Sequence, residues 1–189
     1  MDDSKSESLR RNLWLGTVKD ITDATQKRSA LLSDLGMDDW LGDIEKVVKE
    51  KAIASLTESI DKSCAEMISV ESEGKPFGVV ALLKDEPDQP VRHVLALMVA
   101  KGLKSDNQFS TVGDLAGLVA GNDLSIALQV RSAFRNDGIL REFVSFKPAE
   151  SLDRFSGLRL REKSFNVMIG LAQDIQSEVI SDFFRGGHR

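Results

Sequence analysis

The side chains best suited to contact another macromolecule lie between positions 129 and 154. They combine amide, hydroxyl, guanidinium and ammonium groups. Arginine can donate two hydrogen bonds to guanine, and glutamine or asparagine can pair with adenine, so this segment has the chemistry of a base-contacting surface. The candidates for binding a partner or DNA are Gln129, Arg131, Ser132, Arg135, Asn136, Arg141, Lys147 and Arg154.

The charge of the same region argues against a simple nucleic-acid surface. Neutralisation of phosphates supplies most of the affinity for DNA, and it needs a clear excess of cations. Here the formal net charge of the chain is −5, and residues 76–189 carry equal numbers of basic and acidic groups. Docking of a protein partner is therefore the leading interpretation, with nucleic acid as the alternative. The opposing carboxylates are Asp123, Asp137, Glu142, Glu150 and Asp153.

Residues that could bind a metal or carry out catalysis are sparse. His93, His188 and Cys64 are far apart in the sequence and do not have the spacing of a zinc site. The carboxylates within residues 38–45 lack EF-hand spacing and suit the start of a helix. A Gly-x4-Gly-Lys-Ser/Thr phosphate loop is also absent from the sequence. We therefore predict a protein without catalysis, cofactor, metal or small-molecule substrate.

Composition predicts a folded chain in a reducing compartment. The chain has 189 residues, of which 41% are hydrophobic and 29% are charged, so it can bury a substantial core. Cys64 is the single cysteine, which excludes an intrachain disulfide and fits the cytoplasm. The sequence lacks an apolar run of the length needed to cross a bilayer, so we expect no membrane insertion.

The first 75 residues have the pattern of a helical hairpin. Apolar residues recur every three or four positions over 9–35, with Gly16 as a candidate break, and again over about 40–70. Gly36 suits the position just after a helix end, so a tight turn joins the two helices. We assign residues 1–75 to an amphipathic hairpin that serves packing or oligomerisation.

The apolar stripe of the second helix has two open interpretations. It includes Cys64 and Met67, and it either packs against the second half of the chain or mediates self-association. The candidates for oligomerisation are Leu41, Ile44, Val48, Leu56 and Ile60.

The stretch 71–76, ESEGKP, interrupts the helical pattern, and we place the boundary of a second domain, 76–189, there. Three helices are predicted over 91–103, 110–120 and 123–137. Pro90 suits the first turn of the first helix, with Asp88 as its cap, and Ser110 or Thr111 is expected to cap the second helix, with Asp114 in its first turn. In the third helix we expect Leu124, Leu128, Phe134 and either Val130 or Arg131 to face the core. The segment 77–84 suits either a strand or a helix.

The remaining elements form a small β unit and a closing helix. The alternation over 139–147 and the short segment 158–160 predict two strands joined by a polar loop. A final helix is expected over about 162–184. The predicted fold class is therefore mainly α with a small β wing.

Two resemblances follow from this order of elements. The segment 111–146, with TVGDLAGLV and LSIALQVRSAFRNDGILREFVSF, resembles the winged helix-turn-helix of bacterial regulators. Residues 91–170, ending in LREKSFNVMIG, resemble the winged-helix module that precedes the core of some bacterial AAA-type ATPases. These resemblances imply a non-catalytic adaptor or regulatory module that docks a protein partner, with an ATPase assembly as one candidate. The alternative is a dimeric DNA-binding transcriptional regulator.

Overall fold

The computed structural model describes residues 3–37, 42–83, 87–104, 110–146 and 157–171. These residues are mainly helical, with one small antiparallel sheet, as the sequence predicts. The elements are α1 (Asp3–Met37), α2 (Asp43–Glu71), α3 (Val79–Leu82), α4 (Gln89–Leu103), β1 (Ser110–Thr111), α5 (Val112–Ala120), α6 (Leu124–Ala133), β2 (Val144–Phe146), β3 (Gly157–Leu160) and α7 (Glu162–Met168).

Helices α1 and α2 form the long hairpin, and α1 continues through Gly16 without a break. A single exposed glycine costs a helix only about 1 kcal/mol relative to alanine, which packing against α2 and α4 can offset. The expected break at Gly16 is therefore wrong. The predicted caps at Asp38 and Asp39 lie outside the described residues, as do Trp40 and Leu41.

The apolar stripe of α2 is divided between the core and the surface. Ile60, Cys64 and Met67 are buried, whereas Ile44 is 84% exposed and Val48 is 60% exposed. An α-helix turns about 100° per residue, so each four-residue step drifts about 40° around the axis. Over the four steps from Ile44 to Ile60 the stripe rotates to nearly the opposite side.

One hydrophobic cluster joins the hairpin to the second half of the chain. Trp14 and Ile21 of α1 share it with Met67 of α2, Leu95 of α4 and Leu140 near β2. Helix α4 is its centre, because residues 91–100 are all buried. Pro90 lies in the first turn of α4, as predicted, although Asp88 makes no side-chain hydrogen bond as its N-cap.

The sheet has the order β1-β3-β2, with both pairs antiparallel. Ser110 pairs with Leu158, and Val144 pairs with Leu160. A strand is predicted over 139–147, but only residues 144–146 of the described part of this segment form one. Backbone N–H groups of Leu140, Arg141 and Phe143 instead donate to nearby carbonyls in successive turns.

In this half of the chain the structure decides one open alternative and corrects one prediction. Residues 79–82 form one helical turn, α3, and no strand. Helix α7 ends at Met168, and Gly170 follows with φ of 72°, a left-handed conformation that terminates helices. The rest of the predicted closing helix, 172–184, lies outside the described residues. No helix within the described ranges has the length and apolar character to cross a membrane.

Candidate functional site

The candidate site is the exposed side of α6, which local hydrogen bonds and packing hold in place. At its start, a carboxylate oxygen of Asp123 accepts hydrogen bonds from the backbone N–H groups of Ser125 and Ile126 at 2.8 and 3.3 Å. On its inner side Val130 and Ala133 are buried. The two sides of α6 are therefore clearly separated, one in the core and one in solvent.

Helix α5 packs against α6 and begins with a capping box, as the sequence predicts. The Thr111 hydroxyl accepts a hydrogen bond from the Asp114 backbone N–H at 3.0 Å, and the Asp114 carboxylate accepts one from the Thr111 N–H. Gly121, with φ of 58°, ends α5 and begins the turn toward α6. These local signals position the α5-turn-α6 unit.

The exposed line of α6 consists of two leucines followed by two arginines. Leu124 is 80% exposed and Leu128 is 68% exposed. Arg131 and Arg135 are also exposed, the latter just beyond the helix end. At about 100° per residue these four side chains lie along one side of the helix. The prediction that Leu124 and Leu128 face the core is therefore wrong, whereas Phe134 is buried as predicted.

The other predicted residues lie on α6 or just after it, where a groove separates α6 from the start of α4. Gln129, Ser132 and Asn136 are exposed. The first two, with Arg135, line a groove of about 320 Å³ that also contains Val91 and Ile139. Sequence reasoning missed Ile139, because it was assigned to a strand rather than to the turns after α6.

The predicted residues beyond α6 are only partly described. Arg141 is half-buried, and its guanidinium carbon lies 4.3 Å from the centre of the Phe146 ring. This cation–π contact holds Arg141 against β2. Lys147 and Arg154 lie outside the described residues.

The charges around α6 do not favour the binding of a polyanion such as DNA. Residues 110–146 contain three arginines and four carboxylates. Hydrogen bonds from the side chain and backbone of Ser125 and the backbone of Ile126 lower the pKa of Asp123, so this carboxylate stays ionised at the start of α6. A negative charge therefore lies at the end of the helix where a phosphate would otherwise be favoured.

A buried carboxylate, Glu71, lies at the end of α2 and accepts three hydrogen bonds. One carboxylate oxygen accepts from Trp14 Nε1 at 2.6 Å and from the Val79 N–H at 2.8 Å. The other accepts from Arg92 Nη1 at 2.6 Å, and both side chains of this ion pair are fully buried. Burial raises the pKa of Glu71, and Arg92 provides the largest opposing effect. This cluster joins four helices and has no access for a substrate.

His93 and Arg28 are likewise part of the packing between α1 and its neighbours. The Thr25 hydroxyl donates to the Ile21 carbonyl, so we infer that His93 Nε2 donates to Thr25 Oγ1 at 2.7 Å. Burial, together with Arg28, lowers the pKa of His93 to about 3. Arg28 donates to two carbonyls in the last turn of α5, those of Leu118 and Val119, at 2.7 and 2.8 Å. These groups stabilise the fold and do not form a reactive site.

Cys64 is buried on α2, and burial raises the pKa of its thiol to about 11. A protonated, inaccessible thiol is a poor nucleophile. Among the described residues, no group of three or more His, Cys, Asp or Glu side chains could hold a metal ion.

The predicted oligomerisation residues differ in accessibility. Leu41 lies outside the described residues, Leu56 is half-buried and Ile60 is buried. Ile44 and Val48 are available on the surface together with Val47, which sequence reasoning missed. Val47 lies three positions after Ile44, and this helical spacing indicates that the two residues share one side of α2.

No protein-family model, curated protein or solved structure shows significant similarity to this chain.

Proposed function

We propose that residues 76–189 form a winged-helix domain whose α6 surface docks a protein partner, without catalysis. Two features support the fold part of this proposal. Helices α5 and α6 are joined by a short turn containing Gly121, which is typical of a helix-turn-helix. An antiparallel pair of strands, β2 and β3, follows them, as strands do in a winged helix-turn-helix.

The observation that carries the functional part is the exposure of Leu124 and Leu128 on α6. In a DNA-binding helix-turn-helix, the N-terminal residues of the second helix contact base edges. Here those positions present isobutyl groups, which cannot hydrogen-bond to bases or phosphates. Burying a leucine against a protein surface is favourable by about 1.5–3 kcal/mol, so this face suits an apolar protein partner better than DNA.

The arginines at the C-terminal end of the exposed line of α6 suit a partner surface that has both apolar and acidic groups. Arg131 and Arg135 would lie at the rim, where a carboxylate of the partner can pair with each guanidinium. The nearby groove containing Val91 and Ile139 can accept an apolar side chain. An ATPase assembly, which the sequence resemblance suggests, is one candidate for the partner. The free thiol of Cys64 supports placing the chain in the cytoplasm.

Site-specific photocrosslinking tests this proposal. With a photoreactive amino acid in place of Leu128, we expect a discrete crosslinked protein in cells of the source organism. The same probe at Leu103, an exposed leucine at the C-terminal end of α4, provides a matched control. The crosslink should disappear when Leu124→Asp and Arg131→Glu are added. Equal crosslinking at both positions, or a crosslink unaffected by these substitutions, would contradict docking through α6.

The alternative function is that of a dimeric DNA-binding regulator. It is favoured by one specific observation, the exposure of Gln129, Arg131, Arg135 and Asn136 on or just after α6. These side chains have the functional groups that recognise bases. The leucines at the start of the helix and the balance of charges over 110–146 make this the second candidate.

A further inference from the structure

The hairpin presents a second surface, distinct from α6, on the side of α2 that faces away from the core. We call it the outer face of α2. Its members are all exposed: Ile44, Val47, Val48, Lys51, Ala54, Ser55 and Glu58. An α-helix turns by about 100° per residue, so the direction of each side chain around the helix axis can be compared. These seven side chains lie within roughly 60° of the direction opposite to the buried residues Ile60, Cys64 and Met67. Nothing in the described part of the hairpin can cover this face, because α1 and α4 pack on the other side of α2.

The outer face is complementary to itself in an antiparallel arrangement. If a two-fold axis passes between Ala54 and Ser55, Lys51 of each copy lies opposite Glu58 of the other. The same register places Ile44 opposite Ala65 and Val47 opposite the aliphatic part of Lys62, and all four of these side chains are exposed. Two opposite-charge pairs and four apolar contacts are thus formed at the same time, since every contact in a two-fold interface occurs twice.

The size of the central residues favours the same arrangement. Ala54 and Ser55 are small, so two helices can approach closely where they cross. The charged residues flank this crossing and the apolar residues lie further out, toward both ends. We infer that a second copy of this chain binds the outer face of α2 and forms an antiparallel two-fold dimer. This inference does not depend on the function of α6, because the two surfaces share no residue.

Charge exchange provides a direct test of the register. In a dimer of Lys51→Glu, two pairs of negative charges would face each other. In a dimer of Glu58→Lys, two pairs of positive charges would face each other. Each variant alone should dimerise at least about tenfold more weakly than the wild-type chain, as measured by analytical ultracentrifugation. The double variant, with both substitutions, should recover the wild-type dissociation constant. An equimolar mixture of the two single variants should form a heterodimer, because both charge pairs are restored there.

A matched control is Lys19→Glu, which makes the same charge reversal at an exposed position of α1 and should leave dimerisation unchanged. At concentrations well below the dimer dissociation constant, where every variant is monomeric, circular dichroism should show equal helicity and thermal stability for all variants. The inference is overturned if the wild-type chain is monomeric at about 100 µM, or if the single variants dimerise as well as the wild type. It is also overturned if mixing the two single variants gives no heterodimer.

Discussion

Replacing Arg92 with methionine is expected to lower the free energy of unfolding by about 3–5 kcal/mol, the largest effect of any single substitution considered for this chain. The substitution leaves the Glu71 carboxylate fully buried without its cationic partner. Trp14 and the backbone of Val79 still donate to this carboxylate, but neither carries a charge. Urea unfolding at neutral pH, followed by tryptophan fluorescence, measures the change.

The matched control is Glu71→Gln, alone and combined with Arg92→Met. Glutamine still accepts a hydrogen bond but carries no charge, so the double variant should be less destabilised than the sum of the two single variants. That non-additivity is the signature of a direct interaction between Glu71 and Arg92. A loss below about 1 kcal/mol for Arg92→Met would mean that the ion pair is open to water and does not hold α2 against α4.

Lowering the pH from about 6.5 to 5 is expected to reduce the free energy of unfolding by up to about 2 kcal/mol through His93. The pKa of this imidazole is about 3 in the folded chain, against 6.5 when unperturbed. The unfolded chain therefore binds the proton first. Stability from neutral His93 is complete above pH 6.5 and decreases as the pH falls toward 3. Urea unfolding at a series of pH values measures this dependence.

The control for the pH dependence is His93→Gln, in which an amide replaces the imidazole and can still hydrogen-bond to Thr25. This variant should be less stable at pH 7 but should lose most of the slope between pH 6.5 and 5, where few carboxylates titrate. An unchanged slope in His93→Gln would show that another group causes the dependence and that His93 is accessible to protons in the folded chain.

The parts of the fold that sequence predicts best are those specified by neighbouring residues. Thr111 and Asp114 predict the start of α5, because a capping box involves residues only three positions apart. Pro90 predicts the beginning of α4 for a similar local reason. The apolar run 91–100 predicts a buried helix, because no polar face remains for solvent.

Orientation and long-range contacts are harder to predict. Leu124 and Leu128 share a face, and hydrophobicity alone assigns that face to the core, although both side chains are exposed. A four-residue repeat that runs from Ile44 to Ile60 predicts that both residues lie on one stripe of α2. Each four-residue step turns about 40° further around the helix axis, so the two side chains end on nearly opposite sides. Strand β2 is short because the chain forms turns after Gly138. Gly138 has no side chain, which leaves room for the backbone carbonyls of Ser132 and Ala133.

The buried polar cluster could not be predicted from sequence, because its members are distant along the chain. Trp14, Glu71 and Arg92 come from three helices, and each has an ordinary sequence neighbourhood. Without the fold, a glutamate and an arginine look like surface residues. The charge pattern of the outer face of α2 is visible in the sequence, but its exposure is known only once α1 and α4 are placed.

Binding of duplex DNA distinguishes the two functions proposed for α6, since protein docking and base contact would use the same side of this helix. We expect no change in fluorescence anisotropy of a labelled mixed-sequence duplex at about 50 mM salt and up to about 100 µM protein. Micromolar binding that weakens steeply between about 50 and 200 mM salt, and that Arg131→Glu with Arg135→Glu abolishes, would contradict the account. That result would make the α6 surface a DNA-binding one.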